Sequence, residues 1–225
     1  PLYSSAASDV YKRQAPEGVH GMVKIIGICG SPRRKSSYAA LREALDGALE
    51  TGDVEVELIE LRARKLNFCI HCNKCLREDA VRCTVYEDDM TPLYEKVYQA
   101  DGMIIASPVY EMNITAQLAA FFNRFRPTWN IIKKDPTFFN RKVGAAIAVG
   151  GTRNGGQEGA LNAILGFYHT QGMVVCNGGA GTYAGASLWN PGDGSGEMDD
   201  PEGLKRARAL GAKMADLTKR LNLDN

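Results

Sequence analysis

The chain has 225 residues, of which 44% are hydrophobic and 24% charged, a composition typical of one globular domain. Its 27 Lys and Arg residues balance 26 Asp and Glu residues, and it has no run of five like charges, which argues against nucleic-acid and membrane-surface partners. The longest apolar stretches, near residues 102–110 and 143–151, reach about half of the roughly 20 residues that a membrane span requires.

The beginning of the chain shows no hydrophobic periodicity. We interpret residues 1–21 as an artefactual or disordered tail and expect the natural protein to start at Met22. Residues 22–225 are then expected to form a single domain, with a cysteine-containing loop at 66–90.

The first half of this region alternates two kinds of segment. Residues 23–29 are rich in β-branched side chains and predict a strand, and residues 36–50 carry leucines at helical spacing. Residues 54–61 alternate apolar and acidic side chains, which indicates a strand with one wet face near a sheet edge. A second helix is predicted over residues 91–101, with Thr91 as its N-cap.

The second half continues the same rhythm. Further strands are predicted at 102–107, 143–149 and 173–176, and further helices at 114–125, 157–170 and 204–221. Five strands alternating with helices predict an α/β fold with a doubly wound parallel sheet. Residues 127–141 and 181–203 are interpreted as long connections.

Ligands bind doubly wound sheets outside the carboxyl ends of the strands, so the loops there are candidates for a site. The loop after the first strand combines hydroxyl and cationic residues with a helix N-terminus, a place that favours an anion. The loop after the third strand offers a proline and an aromatic ring, and the loop after the fourth is dense in glycine. Taken singly, these loops could equally be a capped helix start and flexible turns. The G-x-G-x-x-G and P-loop patterns do not follow the first strand.

Three strings carry a family resemblance: GSPRRKSS, SPVYEMNITAQL and VGGTRNGGQE. They resemble the NADPH-dependent FMN reductases of flavodoxin-like fold, and in particular their iron–sulfur flavoprotein branch, over roughly residues 22–180. The resemblance implies a five-stranded sheet of order 2-1-3-4-5 that binds FMN noncovalently.

The resemblance also implies which residues hold the flavin. The phosphate would contact Ser31, Arg33, Ser36 and Ser37. The isoalloxazine ring would be bordered by Pro108, Val109, Tyr110 and Asn113, and its far edge by Gly151, Thr152, Arg153, Asn154, Gly155 and Gly156. Tyr38 stands where the family often has threonine, so its phenol would have to replace a hydroxyl contact to the phosphate.

Four of the six cysteines lie within fifteen residues, at Cys69, Cys72, Cys75 and Cys83. This bunching in a long chain is typical of reduced thiols in a cytoplasmic protein rather than of a disulfide framework. The spacing suits the four corners of a [4Fe–4S] cubane, a structural zinc site or a metal-free set of redox thiols. The compact motif and the following Asp88-Asp89-Met90 resemble the iron–sulfur flavoproteins, which favours the cluster.

These features predict an FMN-dependent oxidoreductase that passes electrons between a [4Fe–4S] cluster and FMN to a small oxidant, without a catalytic acid or base from the protein. The electron donor would be ferredoxin-like or a small molecule. One alternative is an NAD(P)H-dependent FMN, quinone or azo reductase without a cluster, and another is a zinc-stabilised, non-enzymatic binding or sensor module. The resemblance further implies a homodimer or homotetramer.

Overall fold

The computed structural model describes residues 22–191 and 198–222, so the expected tail at 1–21 lies outside the described residues. The strands are β1 (Val23–Cys29), β2 (Val54–Glu60), β3 (Gly102–Pro108), β4 (Val143–Gly150), β5 (Val174–Cys176) and β6 (Ala186–Trp189). The helices are α1 (Ser36–Leu49), α2 (Lys74–Arg77), α3 (Thr91–Gln99), α4 (Ala116–Asn123), α5 (Thr128–Lys134), α6 (Gln157–Gln171) and α7 (Pro201–Asn222).

The sheet is parallel and has the order β2-β1-β3-β4-β5, which confirms the predicted flavodoxin-like topology. Strands β1, β3 and β4 are buried almost throughout, because helices cover both faces of the sheet. Alternate side chains therefore enter two cores. Ile26 and Ile28 join α3, α4 and α6 on one face, whereas Ile25 and Ile104 join α1 and α7 on the other.

A sixth strand, β6, lies within the segment that the sequence predicted to be a long connection. It pairs in parallel with the second half of β4, and β5 pairs with the first half of the same edge. Residues 177–185 separate these two short strands. The prediction of a plain connection over 181–203 was wrong at β6, and residues 192–197 of that segment lie outside the described residues.

Three helix starts differ from the sequence prediction, and the largest difference is at α7, which begins at Pro201 rather than at residue 204. Helix α4 begins at Ala116, because Thr115 is its N-cap and accepts a hydrogen bond from the Leu118 amide at 3.2 Å. Helix α3 begins at Thr91 itself, with Met90 in the cap position. The expected connection at 127–141 contains the short helix α5. Among the described residues, every helix is too short or too polar to traverse a bilayer.

Candidate functional site

Three loops meet at the carboxyl edge of the sheet, since β1, β3 and β4 are parallel neighbours. They comprise residues 30–35, 109–115 and 151–156. The Thr115 hydroxyl donates to the Gly30 carbonyl at 2.7 Å and ties the first two loops together. The Val109 amide donates to the Val149 carbonyl at 3.0 Å and ties the second loop to β4. The structure therefore brings the three expected flavin-binding loops to one place.

The first loop is shaped by Ser31, whose buried hydroxyl donates to the Arg33 carbonyl at 2.7 Å. That hydroxyl also accepts from the Arg33 amide at 3.1 Å, so Ser31 closes the turn and its proton is used inside the loop. Ser36 differs, because its oxygen accepts from the Asn190 side chain at 2.6 Å and its own proton stays available. Ser37 is buried in the first turn of α1.

The start of α1 is suited to an anion. Within the described part of the chain, no side-chain hydrogen bond caps this helix, so its first amides face the loop. Arg34 donates to Glu60 at 3.1 and 3.0 Å and lies 5.1 Å from the Tyr38 ring centroid. Hydrogen bonds from Arg34 hold the pKa of Glu60 below its usual range. Arg34 thus links this loop to the end of β2 and covers Tyr38.

The second loop contains a tight turn from Tyr110 to Asn113, closed by two backbone hydrogen bonds of 2.8 Å. Its central residues, Glu111 and Met112, both have left-handed backbone angles (φ of 48° and 61°), which are costly outside glycine. A Cβ on Gly156, at the start of α6, would lie 2.7 Å from the Met112 Cα, so this turn packs directly against that helix. Such strain is typical of a loop that serves a ligand.

The third loop is held by hydrogen bonds from two side chains, those of Gln157 and Trp189. The buried Gln157 side chain accepts from the Gly155 amide at 2.8 Å and donates to the Thr152 carbonyl at 2.7 Å. The Trp189 indole donates to the Gly151 carbonyl at 3.2 Å, and the Arg153 guanidinium lies 4.6 Å from the Trp189 ring centroid. The expected contact residues Gly151, Thr152, Arg153 and Asn154 are exposed, whereas Gly155 is half-buried and Gly156 is buried.

The sequence prediction did not include Gln157, Trp189 and Asn190 among the flavin-binding residues. Trp189 and Asn190 lie at the end of β6, and the Asn190 amide donates to the Gly150 carbonyl at 3.0 Å. They connect the third loop to Ser36 in the first. An aromatic residue followed by Asn and Pro in a glycine-rich stretch was the available sequence signal, but its position depends on β6.

The cysteine loop follows β2 and packs against the C-terminal end of α3 and the segment between α4 and α5. Its four cysteines, Cys69, Cys72, Cys75 and Cys83, line one cavity that is open to solvent. Cys75 is buried and Cys72 is exposed, while the other two are half-buried. Burial raises the pKa of the Cys75 thiol, and the three neighbouring thiols raise it further.

The backbone of this loop alternates in handedness between the cysteines. His71 and Asn73 have left-handed backbone angles (φ of 55° and 56°), and the His71 amide donates to Cys69 Sγ at 3.4 Å. Arg126 donates to the Asn73 side chain at 3.2 and 3.1 Å. Asn130 of α5 donates to the Cys75 carbonyl at 3.0 Å. The segment from α4 to α5 therefore holds the cysteines in place.

A buried ion pair lies beneath the cysteine cavity. Arg124 donates to the Asp88 carboxylate at 2.6 and 3.2 Å, and their side chains are only 1% and 5% exposed. Burial raises the pKa of Asp88, but hydrogen bonds from Arg124 and Asn67 outweigh it and hold that pKa below its usual range. Asp88 also accepts from the Met90 amide and so fixes the entry to α3.

The remaining two cysteines are separate from this loop. Cys29 and Cys176 are buried at the ends of β1 and β5, as expected for small apolar side chains. Burial raises the pKa of the Cys29 thiol to about 11, which keeps it protonated at neutral pH. Across the described residues, no group of three or more His, Cys, Asp or Glu side chains is arranged to hold a metal ion.

Comparison with known proteins gives the family context. The family model described as NADPH-dependent FMN reductase matches residues 23–186. An iron–sulfur flavoprotein of Methanocaldococcus jannaschii is 40% identical over 188 residues, which span 83% of this chain and 92% of that protein. An iron–sulfur flavoprotein of Archaeoglobus fulgidus is 38% identical over 88% of this chain and 98% of its own length. A WrbA-like flavodoxin structure from Agrobacterium tumefaciens matches with a TM-score of 0.61 at 14% identity, over 88% of this chain and 98% of its own.

Proposed function

The chain belongs to the NADPH-dependent FMN reductase family, in its iron–sulfur flavoprotein branch, and from this premise we propose that it transfers electrons between a [4Fe–4S] cluster and FMN. It is a flavin-dependent oxidoreductase, and the electrons would pass to a small oxidant. The observation that carries the proposal is the set of four thiols around one cavity, held by contacts from the segment between α4 and α5.

The spacing of the thiols and the relatives favour a cluster over a single zinc ion. Cys69, Cys72 and Cys75 lie within seven residues, whereas an all-cysteine zinc site usually uses two separated pairs. The thiols share their cavity with apolar walls from Ile70, Val85 and Tyr86, and two iron–sulfur flavoproteins are 40% and 38% identical to this chain. A structural zinc site needs four ligands within about 2.3 Å of one ion, whereas a cubane spreads its ligands over a larger volume. The thiol of Cys72 is exposed and that of Cys75 is buried, an arrangement that suits a cluster partly covered by the protein.

The residues at the flavin loops have separate tasks. The uncapped amides of α1 and the hydroxyls of Ser36 and Ser37 would bind the FMN phosphate, with Asn190 orienting Ser36. The turn from Tyr110 to Asn113 would border the ring, held by its packing on α6. When bound, the cluster supplies one-electron chemistry and FMN supplies both one- and two-electron chemistry.

A second candidate function is hydride transfer from NAD(P)H to the same flavin. The observation that favours it is the exposed rim of the second loop, where Met112 is 70% exposed and Tyr110 is also open to solvent. A nicotinamide could approach the ring from that side. This candidate requires no cluster, so it predicts a different electron donor.

We also propose that the chain forms a homo-oligomer. Phe68 and Ile70 flank Cys69 in the sequence and are 69% and 52% exposed, and Trp129 of α5, which lines a pocket with Cys69, is 49% exposed. Large apolar side chains grouped on a surface are typical of a contact with another protein.

The two candidate functions differ in which donor reduces the flavin. Under anaerobic stopped-flow conditions, we expect a reduced ferredoxin to reduce the FMN of the wild type, and to do so at least roughly tenfold more slowly in Cys72→Ser, because the one-electron entry group is lost. NADPH should reduce the wild type and Cys72→Ser equally slowly. Rapid reduction of both proteins by NADPH, with no dependence on Cys72, would instead establish the second candidate.

A further inference from the structure

Arg124 stands out as the largest of the fully buried side chains. It is 1% exposed, and it lines the same cavity as the four thiols. A guanidinium stays charged at all ordinary pH values, so its burial must be compensated by hydrogen bonds and countercharge.

One of the hydrogen-bond donors of the Arg124 side chain lacks a partner among the described residues. Nη1 donates to the Asn67 carbonyl at 2.9 Å and to Asp88 Oδ2 at 2.6 Å, and Nη2 donates to Asp88 Oδ1 at 3.2 Å. Nε is buried and has no hydrogen-bond partner among the described residues. A buried donor without a partner is costly and rare in native proteins, which points to an acceptor that occupies the site.

The surroundings of Arg124 fix its orientation. Asp88 takes both terminal nitrogens and is itself held by the Asn67 amide and side chain at 2.9 and 3.0 Å. The Tyr86 ring lies 5.2 Å from the Arg124 Cζ, and the Tyr94 hydroxyl donates to the Arg124 carbonyl at 2.6 Å. The guanidinium therefore cannot turn its Nε toward Asp88 without breaking this end-on pair.

The four thiols of the cavity indicate which kind of acceptor suits the Nε–H group of Arg124. Arg124 and the four cysteines, Cys83 among them, line one cavity, which places the guanidinium beside the thiols. A cluster held by four thiolates carries net negative charge, and its sulfurs accept hydrogen bonds from N–H groups. Since Asp88 compensates the charge of Arg124 through the terminal nitrogens, Nε remains free to serve the cluster.

We propose that Arg124 donates its Nε–H to a sulfur of the bound cluster and thereby raises the reduction potential of that cluster. The inference rests on the proposed function, because it requires the cluster. A donor directed at sulfur stabilises the reduced state more than the oxidised state, since the added electron increases the negative charge on the sulfurs. Asp88 and Asn67 act as positioning residues for this bond.

The test uses Arg124→Lys, which keeps the positive charge beside Asp88 but removes Nε. We expect full iron content and a more negative midpoint potential in an EPR-monitored titration of the holoprotein. The matched control is Arg82→Lys, because Arg82 is an exposed arginine of the cysteine loop. The midpoint potential of the cluster in this control should equal that of the wild type. An unchanged midpoint in Arg124→Lys at full iron content overturns the inference.

A second test is spectroscopic and is made on the wild-type protein, so its result does not depend on whether a variant folds. In wild-type protein carrying arginine labelled with ¹⁵N in the guanidinium group, HYSCORE of the reduced cluster should show a ¹⁵N coupling. The coupling should persist in Arg82→Lys and disappear in the double variant Arg124→Met/Asp88→Leu, which removes the buried ion pair as a unit. Wild-type protein with a cluster but no ¹⁵N coupling overturns the inference alone, whereas wild-type protein without iron overturns the proposed function.

Discussion

The Cys72→Ser protein is expected to lose nearly all of its iron and acid-labile sulfide while it keeps most of its FMN. A serine hydroxyl is a harder and poorer ligand to cluster iron than a thiolate, so the variant holds a cubane mainly by its three remaining thiols. Cys72 is exposed, so its replacement removes no buried packing. The flavin loops follow other strands and share no side chain with Cys72. Iron, sulfide and FMN per chain are measured after purification without oxygen.

The matched control for this prediction is Cys176→Ser. Cys176 is buried in β5, and its thiol lies 3.3 Å from the Asn177 carbonyl, a contact that a serine hydroxyl can keep. This protein should retain both cofactors. Equal loss of iron and FMN in Cys72→Ser, together with a lowered unfolding temperature, would show instead that the thiols serve only to hold the fold.

The second large effect is expected for FMN affinity in the double variant Ser36→Ala/Ser37→Ala. Both residues lie in the first turn of α1, and Ser36 has a hydroxyl proton available because its oxygen accepts from Asn190. Hydrogen bonds to a charged group contribute about 1.5–3 kcal/mol each, so the loss of two predicts a dissociation constant raised by roughly 100-fold or more. Fluorescence titration of the apoprotein with FMN measures the change.

Thr170→Ala is the control for that titration. Thr170 is an exposed residue near the end of α6, and its hydroxyl donates to the Gly166 carbonyl at 2.8 Å, within the same helix. Its FMN affinity should match that of the wild type. An unchanged affinity in the Ser36/Ser37 double variant would show that the phosphate does not bind at the start of α1.

Much of the fold could be predicted because strands that are buried on both faces of a sheet have a recognisable sequence pattern. The continuous apolar runs of β1, β3 and β4 arise from helices on both faces of the sheet. The polar alternation of β2 follows from its position at the edge, where one neighbour is missing. The order of the strands came from the family resemblance, since periodicity alone does not specify which strands are neighbours.

The parts that escaped prediction depend on contacts between distant segments. Strand β6 is four residues long, and its pairing is set by an edge that β5 leaves open. Asn190 contacts Ser36 across 154 positions of sequence, and Arg124 contacts Asp88 across 36. Arginine is usually exposed wherever it lies in the sequence, so no local pattern distinguishes the buried Arg124 from Arg126 in the connection between α4 and α5.

We propose that this flavin-dependent oxidoreductase also holds a [4Fe–4S] cluster in its cysteine loop. The most direct measurement is the content of iron, zinc, acid-labile sulfide and FMN per chain of wild-type protein purified without oxygen. The proposed function predicts about four iron and four sulfide with one FMN, as a cubane bound by four thiolates requires. One FMN with stoichiometric zinc, or with neither iron nor sulfide, would contradict it and would make the cysteines structural in a flavin reductase.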